Sequence, residues 1–141
     1  MRGLAAAKHN VRMTRAIDEA LDLIVSDLVA GGVPVPRVEP TARQDLDPSE
    51  SVMLFADDGS GMGVWLDLRL PAAQQLAHLA DQVQEWAVEE LVRLGLPTNW
   101  PACAAHPANH PLQASVVDDR AVWVCPVGEH PSLPIGGLLN G

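Results

Sequence analysis

The longest amphipathic stretch of the sequence lies between residues 72 and 94, and helix-breaking residues bound it on both sides. Its apolar residues recur at every third or fourth position, which is the spacing of one face of an α-helix; they are Leu76, Leu79, Ala80, Val83, Trp86, Ala87, Leu91 and Leu94. Pro71 suits the first position of a helix, and the sequence Gly95, Leu96, Pro97 is typical of the C-terminal end of a helix. This helix is the longest element that the sequence predicts.

A second amphipathic helix is predicted near the N-terminus, over residues 14–30. Its apolar positions again follow helical spacing; they are Ile17, Ala20, Leu21, Ile24 and Leu28. Gly31 and Gly32 allow a left-handed helix end, and Pro34 prevents continuation.

Three extended segments lie between the two helices. Residues 35–39 form a short piece interrupted by proline, and residues 41–50 are polar and predict a loop. Residues 51–56 and 62–70 are strand-like runs around the sequence DDGSG, whose glycines allow a tight hairpin connection. The predicted fold class is therefore α+β: two helices with a three-stranded antiparallel sheet over residues 14–96.

The length and composition indicate a single globular domain without a membrane segment. The chain has 141 residues, of which 48% are hydrophobic, and no run approaches the roughly 18 consecutive apolar residues of a membrane span. The first residues lack the apolar stretch of a secretion signal. We therefore expect a cytoplasmic location, where a disulfide between Cys103 and Cys125 would be unusual.

Charge is distributed unevenly along the chain. Arg2, Lys8, Arg12 and Arg15 precede all 18 acidic residues, which share the remainder of the chain with only five arginines. Such an acidic body repels phosphate backbones and anionic membranes, so neither nucleic acid nor a membrane is an expected partner. The basic N-terminal arm, residues 1–13, is interpreted as a solvated chain end.

The order helix, three strands, helix resembles the topology of the double-stranded-RNA-binding domain. That family grips phosphates with a lysine-rich second helix. The second helix of this chain instead carries Asp81, Glu85, Glu89 and Glu90 against Arg93 alone. Duplex RNA is therefore not a predicted ligand.

The C-terminal segment, residues 97–141, contains the residues that indicate metal chemistry. Residues 112–125 predict a hairpin, with a strand to Val117, a turn at residues 118–120 and a strand from Ala121 to Cys125. Closing this hairpin would return Cys125 to the loop that holds Cys103. The arrangement is that of a zinc-ribbon-like hairpin, packed on the core as part of one domain.

Four side chains of this segment form the predicted metal site. Cys103 and His106 have the spacing of a metal knuckle, and His110 and Cys125 would complete a Cys2His2 set around a structural zinc ion. His130 is the substitute for His110. The alternatives are that both cysteines are small buried hydrophobic residues beside a proline-rich loop, or that Cys103 is a nucleophile with His106 as its partner.

The composition of residues 97–141 explains why a metal would be useful there. Seven of the 12 prolines of the chain lie in this segment, which has few apolar residues to offset its conformational entropy. A structural zinc ion would supply the missing stability. Packing of Trp100 and Trp123 on the helix at residues 72–94 is a competing explanation, and the two are compatible.

The pattern CAAHPANHPL, followed by AVWVCP and PIGGL, resembles the C-terminal part of small uncharacterised proteins from actinobacteria. The resemblance is limited to the segment that begins at Cys103. It implies no activity.

The function that these patterns favour is a non-enzymatic interaction module. Its partner would be another protein or a second copy of the chain, and its contact surface is expected near Trp65, Trp100 or Trp123. The metalloprotease pattern H-E-x-x-H and the deaminase pattern H-x-E are absent, and no catalytic residue is predicted. A zinc-dependent hydrolase with an open metal position and a nucleic-acid accessory protein are the alternatives.

Overall fold

A computed structural model describes residues 15–41, 48–106, 110–128 and 131–140. Two helices and six strands make up its regular structure. In chain order these are α1 (Ala16–Ala30), β1 (Arg37–Pro40), β2 (Ser49–Phe55), β3 (Gly61–Asp67), α2 (Ala72–Arg93), β4 (Gln113–Val117), β5 (Arg120–Val124) and β6 (Leu133–Pro134), followed by a short 3-10 helix (Leu138–Asn140). The predicted α+β class is confirmed, and the predicted basic arm lies outside the described residues.

Helix α1 begins where side chains satisfy its first backbone donors. The backbone N–H of Arg15 donates to Asp18, and the N–H of Ile17 donates to Glu50 of β2 at 3.0 Å. One face of the helix is buried, as its apolar spacing predicts. Gly32, with φ of +72°, turns the chain after the last residue of the helix.

The first sheet has the order β1-β2-β3, and all its strands are antiparallel. Val52 and Leu54 of β2 point into the core together with Val64 and Leu66 of β3, because alternate residues of a strand share one face. The predicted hairpin is confirmed. The second predicted strand extends three residues too far, because the carboxylate of Asp67 accepts the backbone N–H of residue 69 and forms a local turn.

Helix α2 ends one residue earlier than predicted. Most of its apolar stripe is buried, including Leu79, Val83 and Leu91. Leu94 was predicted to belong to this stripe, and that prediction is wrong: Leu94 lies beyond the last helical residue and is 41% exposed. The helix contacts both β3 and β4, so it lies between the two sheets.

Two glutamines of α2 bind the backbone of the segments on either side of the helix. The amide of Gln82 accepts the N–H of Trp65 at 3.0 Å and donates to the carbonyl of Trp65 at 2.8 Å. The amide of Gln84 donates to the carbonyls of Trp100 and Leu112 at 3.0 and 2.8 Å. The two side chains are about 200° apart around the helix, so each forms hydrogen bonds with the segment on a different side of it.

The second sheet has the order β4-β5-β6 and is also antiparallel. Asp118 and Asp119 have φ of +52° and +62°, which is typical of a two-residue hairpin turn. The predicted hairpin is confirmed with a shorter turn, and β6 was not predicted. Its two residues pair only with Val122 and Trp123, too short a run to show as a pattern in the sequence.

Both sheets and both helices contribute to one apolar core. Trp100, Leu112, Trp123 and Ile135 join it from the C-terminal segment. No helix in the described part of the chain combines the length and the apolar character needed to cross a membrane.

Candidate metal centre

The four predicted ligands lie at one end of the second sheet. Cys125 directly follows β5, while Cys103 follows Ala102, which forms an isolated antiparallel bridge with Pro111. His110 directly precedes that bridge. The fourth residue, His106, lies in a turn in which its N–H donates to the carbonyl of Cys103 at 3.0 Å. This turn brings the side chain of His106 next to that of Cys103. Strand pairing and one turn therefore bring together residues that are 22 positions apart in the sequence.

The potential ligand atoms of these four residues all lie within 4.8 Å of one another, and the group could hold a metal ion. Nδ1 of His106 is 3.5 Å from Sγ of Cys103 and 3.8 Å from Sγ of Cys125. Nε2 of His110 is 3.8 Å from Sγ of Cys125. The structure thus brings together the four residues predicted as ligands.

The hydrogen bond of His110 selects which of its nitrogens faces the cluster. Its Nδ1 lies 3.1 Å from the carbonyl oxygen of Pro111, which can only accept a hydrogen bond. This hydrogen bond requires the proton on Nδ1, which in the neutral ring leaves the lone pair of Nε2 facing Cys125. A metal-binding histidine is commonly oriented by a carbonyl in this way.

The centre is closed on the protein side and open at its rim. Cys103 is 0% and Cys125 4% exposed, whereas His106 and His110 are half-buried. No disulfide joins the two thiols. The two sulfur atoms are therefore shielded from solvent, and an ion could reach the site from the side of the partly accessible imidazoles.

The observed spacing suits tetrahedral coordination by sulfur and nitrogen. Bonds of about 2.3 Å to sulfur and 2.0–2.1 Å to nitrogen at tetrahedral angles place a sulfur and a nitrogen ligand about 3.5–3.6 Å apart. One of the three sulfur–nitrogen distances, 3.5 Å, equals this separation, and the other two, both 3.8 Å, are slightly longer. The remaining pairs of ligand atoms lie within 4.8 Å of one another, so two thiols and two imidazoles form a donor set that could hold a metal ion.

Asp27 of α1 is a buried side chain beside this region that sequence analysis missed. It is 0% exposed, and its carboxylate accepts hydrogen bonds from Nε1 of Trp123 at 2.8 Å and from the backbone N–H groups of Gly136 and Leu138 at 2.7 and 3.0 Å. Three donors satisfy a carboxylate that would otherwise be costly to bury. A single acidic residue between Ile24 and Leu28 on an apolar helix face was the available signal.

Trp100 and Trp123 connect the metal centre to the end of α1. Their rings meet edge to face at 5.5 Å, and Nε1 of Trp100 donates to the backbone carbonyl of Asp27 at 3.2 Å. A Cβ atom at Gly31 would lie 2.5 Å from the Trp100 ring, so only glycine allows this approach. The two tryptophans do anchor the segment, but through α1 as well as α2.

His130, the substitute ligand, is not among the described residues. His78 lies away from the cluster and packs edge-on against Trp65 at 5.5 Å. Asp58 accepts hydrogen bonds from the hydroxyl and N–H of Ser60, which lower the pKa of its carboxyl and help to form the turn between β2 and β3.

Comparison of the chain with models of protein families, with curated proteins and with solved structures finds no match. The resemblance of the C-terminal segment to small actinobacterial proteins stays a prediction.

Proposed function

We propose that Cys103, His106, His110 and Cys125 bind a structural zinc ion and that the chain is a small protein-interaction module. The observation that carries the proposal is the convergence of two thiols and two imidazoles within 4.8 Å. Thiolate and imidazole ligands favour zinc over magnesium or calcium, which prefer oxygen ligands.

A structural role is favoured because four protein side chains are available to complete a tetrahedral set. A catalytic zinc ion usually keeps one position for water and has a carboxylate base nearby. The cluster found among the described residues contains no carboxylate. The ion would hold the turn at residues 103–106 and His110 against the end of β5. These ligands come from a proline-rich segment that contributes no named helix or strand among its described residues.

The outer face of the first sheet is the candidate contact surface. Trp65 is 48% exposed there, whereas Trp86, Trp100 and Trp123 are buried. On the same face the ring of Phe55 lies over Gly61, where a Cβ atom would come within 2.6 Å of it. An exposed tryptophan on a rigid sheet is the type of residue that contributes most to protein interfaces.

Metal analysis of the purified protein tests the zinc site. We expect one zinc ion per chain, and Cys103→Ser, Cys125→Ser and His106→Ala should each lower the bound fraction. His78→Ala is the matched control, because His78 lies beside Trp65 and should leave the metal content unchanged. Equal zinc content in all of these proteins would contradict the proposal.

Cobalt substitution tests the structural role of the ion. The spectrum of cobalt(II) reports its ligands, and we expect sulfur-to-cobalt charge transfer together with tetrahedral bands that exogenous azide does not change. A spectrum that azide perturbs would indicate an open position and would favour the alternative of a zinc-dependent hydrolase.

The interaction role is tested at Trp65. If the partner is a second copy of the chain, Trp65→Ser should convert the assembly into a monomer in sedimentation experiments. Val92→Ser is the control, since Val92 is 63% exposed on α2. Equal behaviour of the two variants in an oligomeric wild type would exclude this face as the self-contact.

A further inference from the structure

The outer edge of β4 faces no other strand in the part of the chain that the structure describes. Among the described strands β4 pairs with β5 alone. The two-residue turn makes Val117 and Arg120 the last hydrogen-bonded pair, so hydrogen-bonded and non-hydrogen-bonded pairs alternate from there. The N–H and C=O groups of Ala114 and Val116 consequently point away from β5.

Leu112 shows where these groups point, because alternate residues of a strand direct their backbone groups to the same side. The N–H of Leu112 donates to the carbonyl of Pro101 at 2.7 Å, and its carbonyl accepts the amide of Gln84. The backbone groups of this edge are therefore hydrogen-bonded at Leu112. At Ala114 and Val116 they face no strand among the described residues.

A groove of about 520 Å³ lies between this edge and α2. One wall is formed by residues 111–114, and the other by the α2 residues that include Gln84 and Val88. An extended peptide can add a strand to an exposed sheet edge of this kind, and the adjoining groove would receive its side chains.

The charge of the groove indicates which kind of peptide it would bind. Asp81, Glu85 and Glu89 line it at intervals of four residues, so they lie along one side of α2, and all three are exposed. The lining contains no basic residue. Arg93 of the same helix is engaged elsewhere, by Glu90 at 2.7 Å and by Asp58 at 3.6 Å.

We propose that this groove binds an extended segment of a partner protein that carries lysine or arginine at alternate positions. Its backbone would pair with Ala114 and Val116, and its cationic side chains would face Asp81, Glu85 and Glu89. The inference rests on the proposed function, because the bound metal would hold Pro101 and Leu112 at the start of the edge.

Nuclear magnetic resonance of the zinc-loaded full chain tests the proposal with a short peptide of alternating valine and lysine. We expect shifts and slowed hydrogen exchange at the amides of Ala114 and Val116. A peptide of alternating valine and glutamate should bind with an affinity at least about tenfold lower. Methylation of the peptide nitrogens that face β4 should lower the affinity about tenfold, because two backbone hydrogen bonds are lost.

A matched pair of variants separates recognition in the groove from general attraction to an acidic protein. Glu85→Gln should weaken the valine–lysine peptide about threefold, whereas Glu19→Gln, the same change at an exposed position of α1, should have no effect. Equal effects of the two variants would overturn the proposal. So would unchanged affinity of the methylated peptide, or pairing of two copies of the chain through β4 in place of peptide binding.

Zinc content is measured in the same samples. A chain that binds zinc but not the peptide contradicts this inference and leaves the zinc site intact. A chain that binds no zinc contradicts the proposed function itself.

Discussion

The region from α1 to α2 and the C-terminal segment are held together by different kinds of contact. In the first region, regularly spaced apolar side chains of two helices and a sheet bury one another, and many residues share the stabilisation. In the second, fewer apolar side chains join that core, and polar contacts of the Asp27 carboxylate and the Gln84 amide hold the short strands and loops. A metal ion bound by the Cys/His cluster would add to these contacts. A region that depends on few contacts should respond strongly to the loss of any one of them.

Removing the metal should give the largest difference between the two regions. Chelation of a zinc-loaded sample should expose the backbone of residues 100–106 and 110–125 to hydrogen exchange, while α1 and α2 stay protected. We expect the melting temperature to fall by about 10–20 °C, since a structural zinc ion contributes several kcal/mol.

Hydrogen exchange with mass spectrometry and thermal unfolding measure these effects, and re-addition of zinc is the control. Uniform loss of protection along the chain would show that the two regions fold as one cooperative unit. No change on chelation would contradict the role given to the metal.

Removing the buried carboxylate should give the next largest effect. Asp27→Ala leaves the indole N–H of Trp123 and the backbone donors of Gly136 and Leu138 without their acceptor. We expect a loss of about 3–5 kcal/mol in the free energy of unfolding, measured in urea.

Asp22→Ala is the matched control for this change. Asp22 is an exposed carboxylate on the same helix, and its loss should change the free energy of unfolding by less than about 0.5 kcal/mol. If the two variants are equally stable, the hydrogen bonds of Asp27 do not anchor the C-terminal segment.

The two glutamines of α2 allow the finest comparison. Gln82→Met and Gln84→Met keep the side-chain volume, and each removes hydrogen bonds to one side of the helix. We expect each to cost about 1–3 kcal/mol. Exchange should rise selectively at β3 in the first variant and near Leu112 in the second. The same exchange pattern in both would refute the separate roles.

Local patterns predicted the elements well, and they predicted as a set the four Cys and His side chains that the structure brings together. Helical spacing identified both helices, and glycine or aspartate turns identified both long hairpins. The pattern failed at Leu94, where the helix had already ended, and at β6, which is too short to show alternation. The spacing of Cys103 and His106 indicated a knuckle because a turn of that length brings two side chains to one point.

What this sequence determines by itself is local: where helices and hairpins form, and which residue types stand close enough along the chain to act together. Only the tertiary structure decided that Asp27 meets Trp123, 96 positions away, that Gln82 and Gln84 serve opposite sides of one helix, and that Trp65 alone of the four tryptophans is exposed. The physical reason is that periodicity reflects which face of an element is apolar. The partner of a buried polar atom depends on how whole elements pack against each other.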